Sequence, residues 1–221
     1  MTIHRIAAVG VLTVMLAAGG GEQAQSQPPP QHPAQPPPQY PWHNNIVATT
    51  FWVGEIMDPS APDGSQEVSA YDPHWMANNG GCDGVVEHGV CRTEPRTASN
   101  DFFPTRMTPR QNPFYLDLPV IDPNLKNRWV QLRKGDNVCY GQIEDAGPAV
   151  YDDVAYVFGT ARPKNTRFNG AGLDVSPALN GCLRFSQLDG QNDRVDWRFV
   201  EQSDVPAGPW TRIVTTDPVV S

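Results

Sequence analysis

Two aspartates stand where this sequence would offer a carboxyl to a groove. Asp145 closes the run Val138-Cys139-Tyr140-Gly141-Gln142-Ile143-Glu144 and precedes Ala146-Gly147-Pro148, a turn that would expose its side chain. Asp174 lies in Gly172-Leu173-Asp174-Val175-Ser176-Pro177, just before a helix start, and could face the same cleft. Two carboxyls sharing one low-dielectric groove push their pKa values apart, which keeps one protonated near neutral pH. That combination serves glycosidic cleavage: one group protonates the leaving oxygen and the other activates water or attacks directly. Glu144 is the reserve candidate, since neighbouring residues of a strand point to opposite faces and only one can enter the groove. The plainer roles are an Asx turn for Asp145 and a helix cap for Asp174.

Sugars stack on aromatic faces, and six Trp and six Tyr are available. Trp52, Tyr140 and Trp75 are the expected substrate contacts, and Trp197 is expected in the core. His74 reads as a surface-loop histidine. Asp189-Gly190-Gln191-Asn192-Asp193 has a calcium-like composition but lacks the loop length and closing Glu of an EF-hand, so it reads as a turn. There is no phosphate-binding loop, no G-x-S-x-G and no H-E-x-x-H. No metal and no cofactor are expected.

The elements that must position these residues are mostly strands. Asn45–Val53 is rich in Val, Thr and aromatics, and Phe114–Val120 alternates apolar with polar residues. Arg128–Arg133, Gly135-Asp136-Asn137 and Val138–Ile143 form a hairpin pattern. Arg194–Glu201 puts Val195, Trp197 and Phe199 on one face and Arg194, Asp196 and Arg198 on the other. A last short strand is expected at Ile213–Thr215. The best helical signal is Ser176–Leu183, with Asp174 or Ser176 as N-cap and Pro177 in the first turn. Short strands, long loops and one or two short helices indicate a mainly β chain folded as a small barrel.

Composition narrows the class. With 23 Pro and 19 Gly in 221 residues, a helical bundle is excluded, because both residues break helices. The net charge of −8 and the lack of a basic run argue against a nucleic-acid partner. Residues 1–26 read as a signal peptide, with Arg5, an apolar run from Ile6 to Ala18, and Ala24-Gln25-Ser26 before the cut. The apolar run is too short to span a bilayer, so no stable membrane insertion is expected after cleavage. Residues 27–42 hold eight Pro and four Gln and form a semi-rigid spacer. Residues 43–221 then make one domain, long enough for one sizeable core. Cys82, Cys91, Cys139 and Cys182 are an even set in an exported chain, consistent with two disulfides in any of three connectivities. Cys82–Cys91 would close a short loop and leave Cys139–Cys182 to join distant segments. A four-thiolate zinc site is disfavoured by the absence of a C-x-x-C knuckle. The expected product is a secreted or periplasmic monomer.

Several runs resemble the double-psi β-barrel superfamily. Val138 to Pro148 looks like the strand ending in D-x-G-P, and Gly172 to Leu179 resembles the [ILF]-D-[LV]-S-x-x-A element. Both recur, in this order, in rare lipoprotein A domains, bacterial expansins and related glycosidases. Thr49-Thr50-Phe51-Trp52-Val53-Gly54 resembles the opening strand, and Arg194 to Val200 the closing strand of the expansin catalytic-like domain. Cys82-Asp83-Gly84, Cys91 and Thr97-Ala98 are similar to the layout of fungal-type chitosanases on the same barrel. The resemblance covers Ile46 to Val200 and implies a six-stranded double-psi β-barrel. It implies Asp174 as general acid and favours Asp145 over Glu144 as second acidic residue. It places Asp83 at the cleft, against the simpler role of shaping the Cys82–Cys91 loop. Asp145 and Asp174 are 29 positions apart, longer than in the family, which leaves an insertion at residues 151–170. The chain also has Leu173-Asp174-Val175-Ser176 where the chitosanases have G-E-[AG]-S.

The function expected is a polysaccharide-acting glycoside hydrolase, chitosanase-like in the layout around Cys82 and Cys91, with a polysaccharide as its partner. An expansin-like, non-lytic wall-loosening or glycan-binding module is the alternative, and a peptidoglycan lytic transglycosylase a further one.

Overall fold

The computed structural model describes residues 40–55, 66–92, 109–188 and 190–220. The expected signal peptide, linker residues 27–39, Thr97-Ala98 and Asp189 lie outside the described residues. Eight strands and three short α-helices follow in order: β1 (His43–Thr50), α1 (Trp75–Asn79), β2 (Val85–Glu87), β3 (Val90–Arg92), β4 (Tyr115–Leu118), β5 (Trp129–Lys134), β6 (Asn137–Ala146), α2 (Val154–Val157), β7 (Leu173–Val175), α3 (Pro177–Leu183) and β8 (Asp193–Phe199).

Six strands close a barrel in the order β1-β7-β4-β6-β5-β8, with β8 pairing back to β1. The β1/β7 and β4/β6 pairs are parallel, and the others are antiparallel. The chain is thus a mainly β, closed, mixed six-stranded barrel, an arrangement compatible with the double-psi type. β2 and β3 form a separate two-stranded sheet.

Local sequence accounts for several of these elements. In β8 the alternation holds: Val195, Trp197 and Phe199 are buried, Arg194 is exposed, and Asp196 and Arg198 are half-buried. The β5/β6 hairpin turns on Gly135-Asp136, with Gly135 at φ 58°, a left-handed value that glycine adopts without strain. α3 starts at Ser176, whose side chain accepts from the Leu179 N–H at 3.2 Å, with Pro177 next. Cys182 on α3 is bonded to Cys139 on β6, and Cys82 to Cys91. The connectivity is therefore the short loop plus the distant pair.

The expected strand at Ile213–Thr215 does not form. The side-chain amide of Gln142 takes its place, accepting from Thr215 N–H at 2.9 Å and donating to Thr215 C=O at 3.0 Å. Residues 215–220 run on as a strap. The Lys126 ammonium donates to Pro218 C=O at 2.8 Å, and Val220 N–H to Tyr71 C=O at 3.0 Å.

The insertion at residues 151–170 buttresses the barrel. Tyr156 of α2 is fully buried, and its hydroxyl accepts from Trp197 Nε1 at 2.7 Å. His43 stacks on Trp197 at 4.0 Å. The Arg162 guanidinium donates to the carbonyls of Asn44 and Asn45 at 2.7 and 2.9 Å, tying the insertion to the start of β1. No helix among the described residues is long and apolar enough to cross a membrane.

Candidate active site

Strand register brings three carboxyls into one row. Asp174 of β7 pairs with Asp117 of β4, and Asp117 pairs with Asp145 of β6. Thr49 of β1 pairs with Asp174 on the other side. Register partners on adjacent strands project to the same face. The row is therefore Thr49, Asp174, Asp117, Asp145 across four adjacent strands. A bulge between Leu116 and Asp117 sets this register: Leu116 pairs with Ile143 and Asp117 with Asp145, so Glu144 is the extra residue.

The row is deeply covered, with exposures of 9% for Asp174, 3% for Asp117 and 6% for Asp145. Asp117 Oδ1 accepts from the Asp174 backbone N–H at 2.8 Å. Burial, then the Asp174 and Asp145 charges, hold the Asp117 carboxyl well above the ordinary carboxylate range. Burial also raises Asp174, followed by the charges of Glu55 and Asp145. These three neighbouring carboxyls therefore titrate as a coupled set rather than independently. Asp145 Oδ1 accepts from Ala70 N–H at 2.6 Å and from Ala146 N–H at 2.8 Å. It thereby holds the 66–72 segment over the row.

The D-x-G-P run also acquires a reason. A Cβ at Gly147 would stand 2.5 Å from Asp117 Oδ2, so glycine leaves the room that the central carboxyl occupies. The Gly147–Pro148 peptide is cis.

A second acidic pair lies beside the row. Asp83 accepts from the hydroxyl of Tyr115, which stands two residues before Asp117 on the same face of β4. Burial pushes the Asp83 carboxyl up to about 7. Glu55 follows a tight turn at the end of β1. Its backbone N–H donates to Trp52 C=O at 3.1 Å, and its Oε2 accepts from Trp52 N–H at 3.2 Å. Burial, with the Asp83 charge adding to it, raises Glu55 to about 7.

Around this end of β1 several buried polar atoms have no hydrogen-bond partner: Thr49 Oγ1, Trp52 Nε1, Gln66 Oε1, Asp83 Oδ1 and Asp174 Oδ1. Leaving such a group unsatisfied costs about 1–3 kcal/mol. The set mixes donors and acceptors, unlike the all-oxygen shell of a hard cation. It suits a ligand whose groups both donate and accept, as hydroxyls do.

The other expected contacts are spread out. Trp52 is buried at the end of β1 beside the row. Trp75 is 1% exposed and packs with Phe51 and Tyr115, so no ring face is open to a sugar. Tyr140 lies five residues before Asp145 on β6, about 17 Å along the strand. There it packs on Trp210 at 5.2 Å and accepts from Gln131 Nε2 at 3.0 Å. The structure does not bring Tyr140 to the carboxyls. Glu144, the extra residue of the bulge, feels the charges of Lys126, Asp217, Asp72 and Asp145, and neither of its carboxyl oxygens has a hydrogen-bond partner. His74 precedes α1, and its N–H donates to Asp72 at 2.8 Å.

Asp117, Glu55 and Thr49 are residues that motif reading missed. Asp117 did carry a signal: it is one acid inside Phe114-Tyr115-Leu116-Asp117-Leu118, and a buried lone acid is costly unless it is used. Comparison with models of protein families, with curated proteins and with solved structures returns no match for this chain.

Proposed function

We propose that this chain is a secreted or periplasmic polysaccharide-acting hydrolase on a double-psi β-barrel, with Asp174 as the general acid. One observation carries the reading: Asp174 is a buried carboxyl with an unpartnered Oδ1, set by strand register in one row with Asp117 and Asp145, where burial and the neighbouring charges raise its pKa. A proton kept near neutrality on an otherwise unengaged oxygen is what a leaving glycosidic oxygen needs. The unpartnered Thr49, Trp52 and Asp83 atoms nearby supply the mixed donors and acceptors that sugar hydroxyls match.

The test is release of reducing ends from chitosan, β-glucan, cellulose and peptidoglycan by the chain from Gln27 onward. Asp174→Asn is expected to lose at least 100-fold in rate with its Tm retained. New ends from one polymer, lost in Asp174→Asn, name the substrate class. Peptidoglycan solubilised without new reducing ends would indicate a lytic transglycosylase instead.

A second reading is a non-lytic, expansin-like glycan-binding module. The two backbone N–H groups held by Asp145 favour it, because they give that carboxyl a structural task. Binding to an insoluble polymer with no product from any substrate would select this reading.

A further inference from the structure

We infer that Glu55 is the working partner of Asp174: the two carboxyls serve one site as acid and base across the end of β1, and Glu55 is the member that meets solvent. Its role as base rests on the hydrolase reading.

Position argues for it first. β1 runs parallel beside β7, and Phe51 N–H continues the pairing to Val175 C=O at 3.1 Å. The turn at Val53-Gly54, with Gly54 at φ 81°, then folds the chain back. Glu55 Oε2 is thereby returned to the Trp52 N–H, at the edge of the row, three residues beyond the Thr49 that flanks Asp174. Glu55 is fixed there from two sides. Its backbone pairs with Gln66, whose N–H donates to Glu55 C=O at 2.8 Å, and it forms a bridge with Cys91 of the disulfide loop.

Exposure argues for it second. Asp174, Asp117, Asp145 and Asp83 are each more than nine-tenths buried, whereas Glu55 is half-buried. Asp145 is also committed to the Ala70 and Ala146 N–H groups. The Glu55 carboxylate accepts a long bond from Trp52 N–H, 3.2 Å, at Oε2. Electrostatics agrees with the placement: among like charges acting on Asp174, Glu55 outweighs Asp145.

In the hydrolytic step the Asp174 O–H gives its proton to the glycosidic oxygen as the C–O bond breaks. Water adds its oxygen to the anomeric carbon and gives a proton to the Glu55 carboxylate. Glu55 then holds the proton taken from water while Asp174 has lost its own to the leaving group, and proton exchange with solvent restores the start. One water is consumed and no other reactant is needed.

The experiment follows side-chain carboxyl ¹³C shifts from pH 3 to 10 in wild type, Glu55→Gln and Asp145→Asn, with reducing-end assays on the same samples. Expected is a fall in the Asp174 midpoint by at least one pH unit in Glu55→Gln, larger than in Asp145→Asn. Hydrolysis should drop at least 100-fold in Glu55→Gln and less than 10-fold in Asp145→Asn. An unmoved Asp174 titration in a folded Glu55→Gln protein overturns the pairing, whatever the activity. Wild-type and Glu55→Gln proteins of equal activity overturn the base role. Should the wild type cut no polymer, the hydrolase reading and the base role fail together, and the shared titration still decides the pairing.

Discussion

The central residue of the site is one that no motif flagged. Asp117 links Asp174 to Asp145 by register, accepts the Asp174 N–H, and fills the space left by Gly147. Replacing Gly147 with Ala would force a methyl group against the Asp117 carboxylate, which has strand on both sides and little room to give. The expected cost is about 1–3 kcal/mol of stability, as for other overpacked sites. Urea unfolding of Gly147→Ala measures it, and an unchanged midpoint would show that Asp117 relaxes freely. Asp174 and Asp145 were legible because they stand in recognisable runs. Asp117 was not, because its neighbours are an ordinary apolar strand and its importance comes from a partner 57 residues away. Glu55 was hidden for a different reason: a turn, rather than strand alternation, decides where its side chain goes.

At the scale of elements, alternation made β8 readable because it has one buried face, whereas β4 is buried on both faces and the β5/β6 hairpin was legible from its glycine turn. The N-cap and first-turn proline made α3 readable. The short pieces β2, β3 and α1 were not, because three to five residues hold no period to detect. The C-terminal strand failed because side-chain amides supply the bonds that a ladder would. α3 depends on the Cys139–Cys182 bridge, which ties it to β6 across a separation of 43 residues. Loop entropy alone gives such a bridge on the order of 4 kcal/mol. Cys139→Ser with Cys182→Ser is expected to lose about 2–4 kcal/mol in chemical denaturation. The Cys82–Cys91 bridge has the other task, since it anchors the loop carrying Asp83 and the bridge to Glu55.

Taken over the described residues, the molecule buries more acid than base, and this sets its response to pH. Glu55 and Asp83 are raised to about 7 and Glu144 to about 8, so the folded chain keeps protons that the unfolded chain releases. For Glu144 the cause is burial, with Asp217, Asp72 and Asp145 adding to it and Lys126 opposing it. The stability these groups contribute is present below their unfolded values, near 4, and is lost as pH rises through 7 to 8. His43 acts oppositely: burial lowers it to about 4, so its contribution is present above about 6.5 and lost as pH falls through 4. Five raised carboxyls, Asp117 and Asp174 included, outweigh one histidine, and maximal stability is expected on the acid side of neutrality. Each fully buried carboxyl lowers the unfolding free energy by up to about 1.4 kcal/mol per pH unit in its window. Glu144→Gln should therefore flatten the decline between pH 5 and 8 in urea titrations. An equal decline in both proteins would place the proton uptake elsewhere.

The strand order has a consequence for how the chain comes to be folded. β1 pairs only with β7 and β8, so Thr50 waits for partners that begin 123 residues later, at Leu173. A chain delivered through a translocation pore from its N-terminus would carry an open first strand until β8 had emerged. Contacts of such long range make barrel closure slow and late. The row from Thr49 to Asp145 is assembled by that same closure. No unclosed form of the chain therefore carries the complete row.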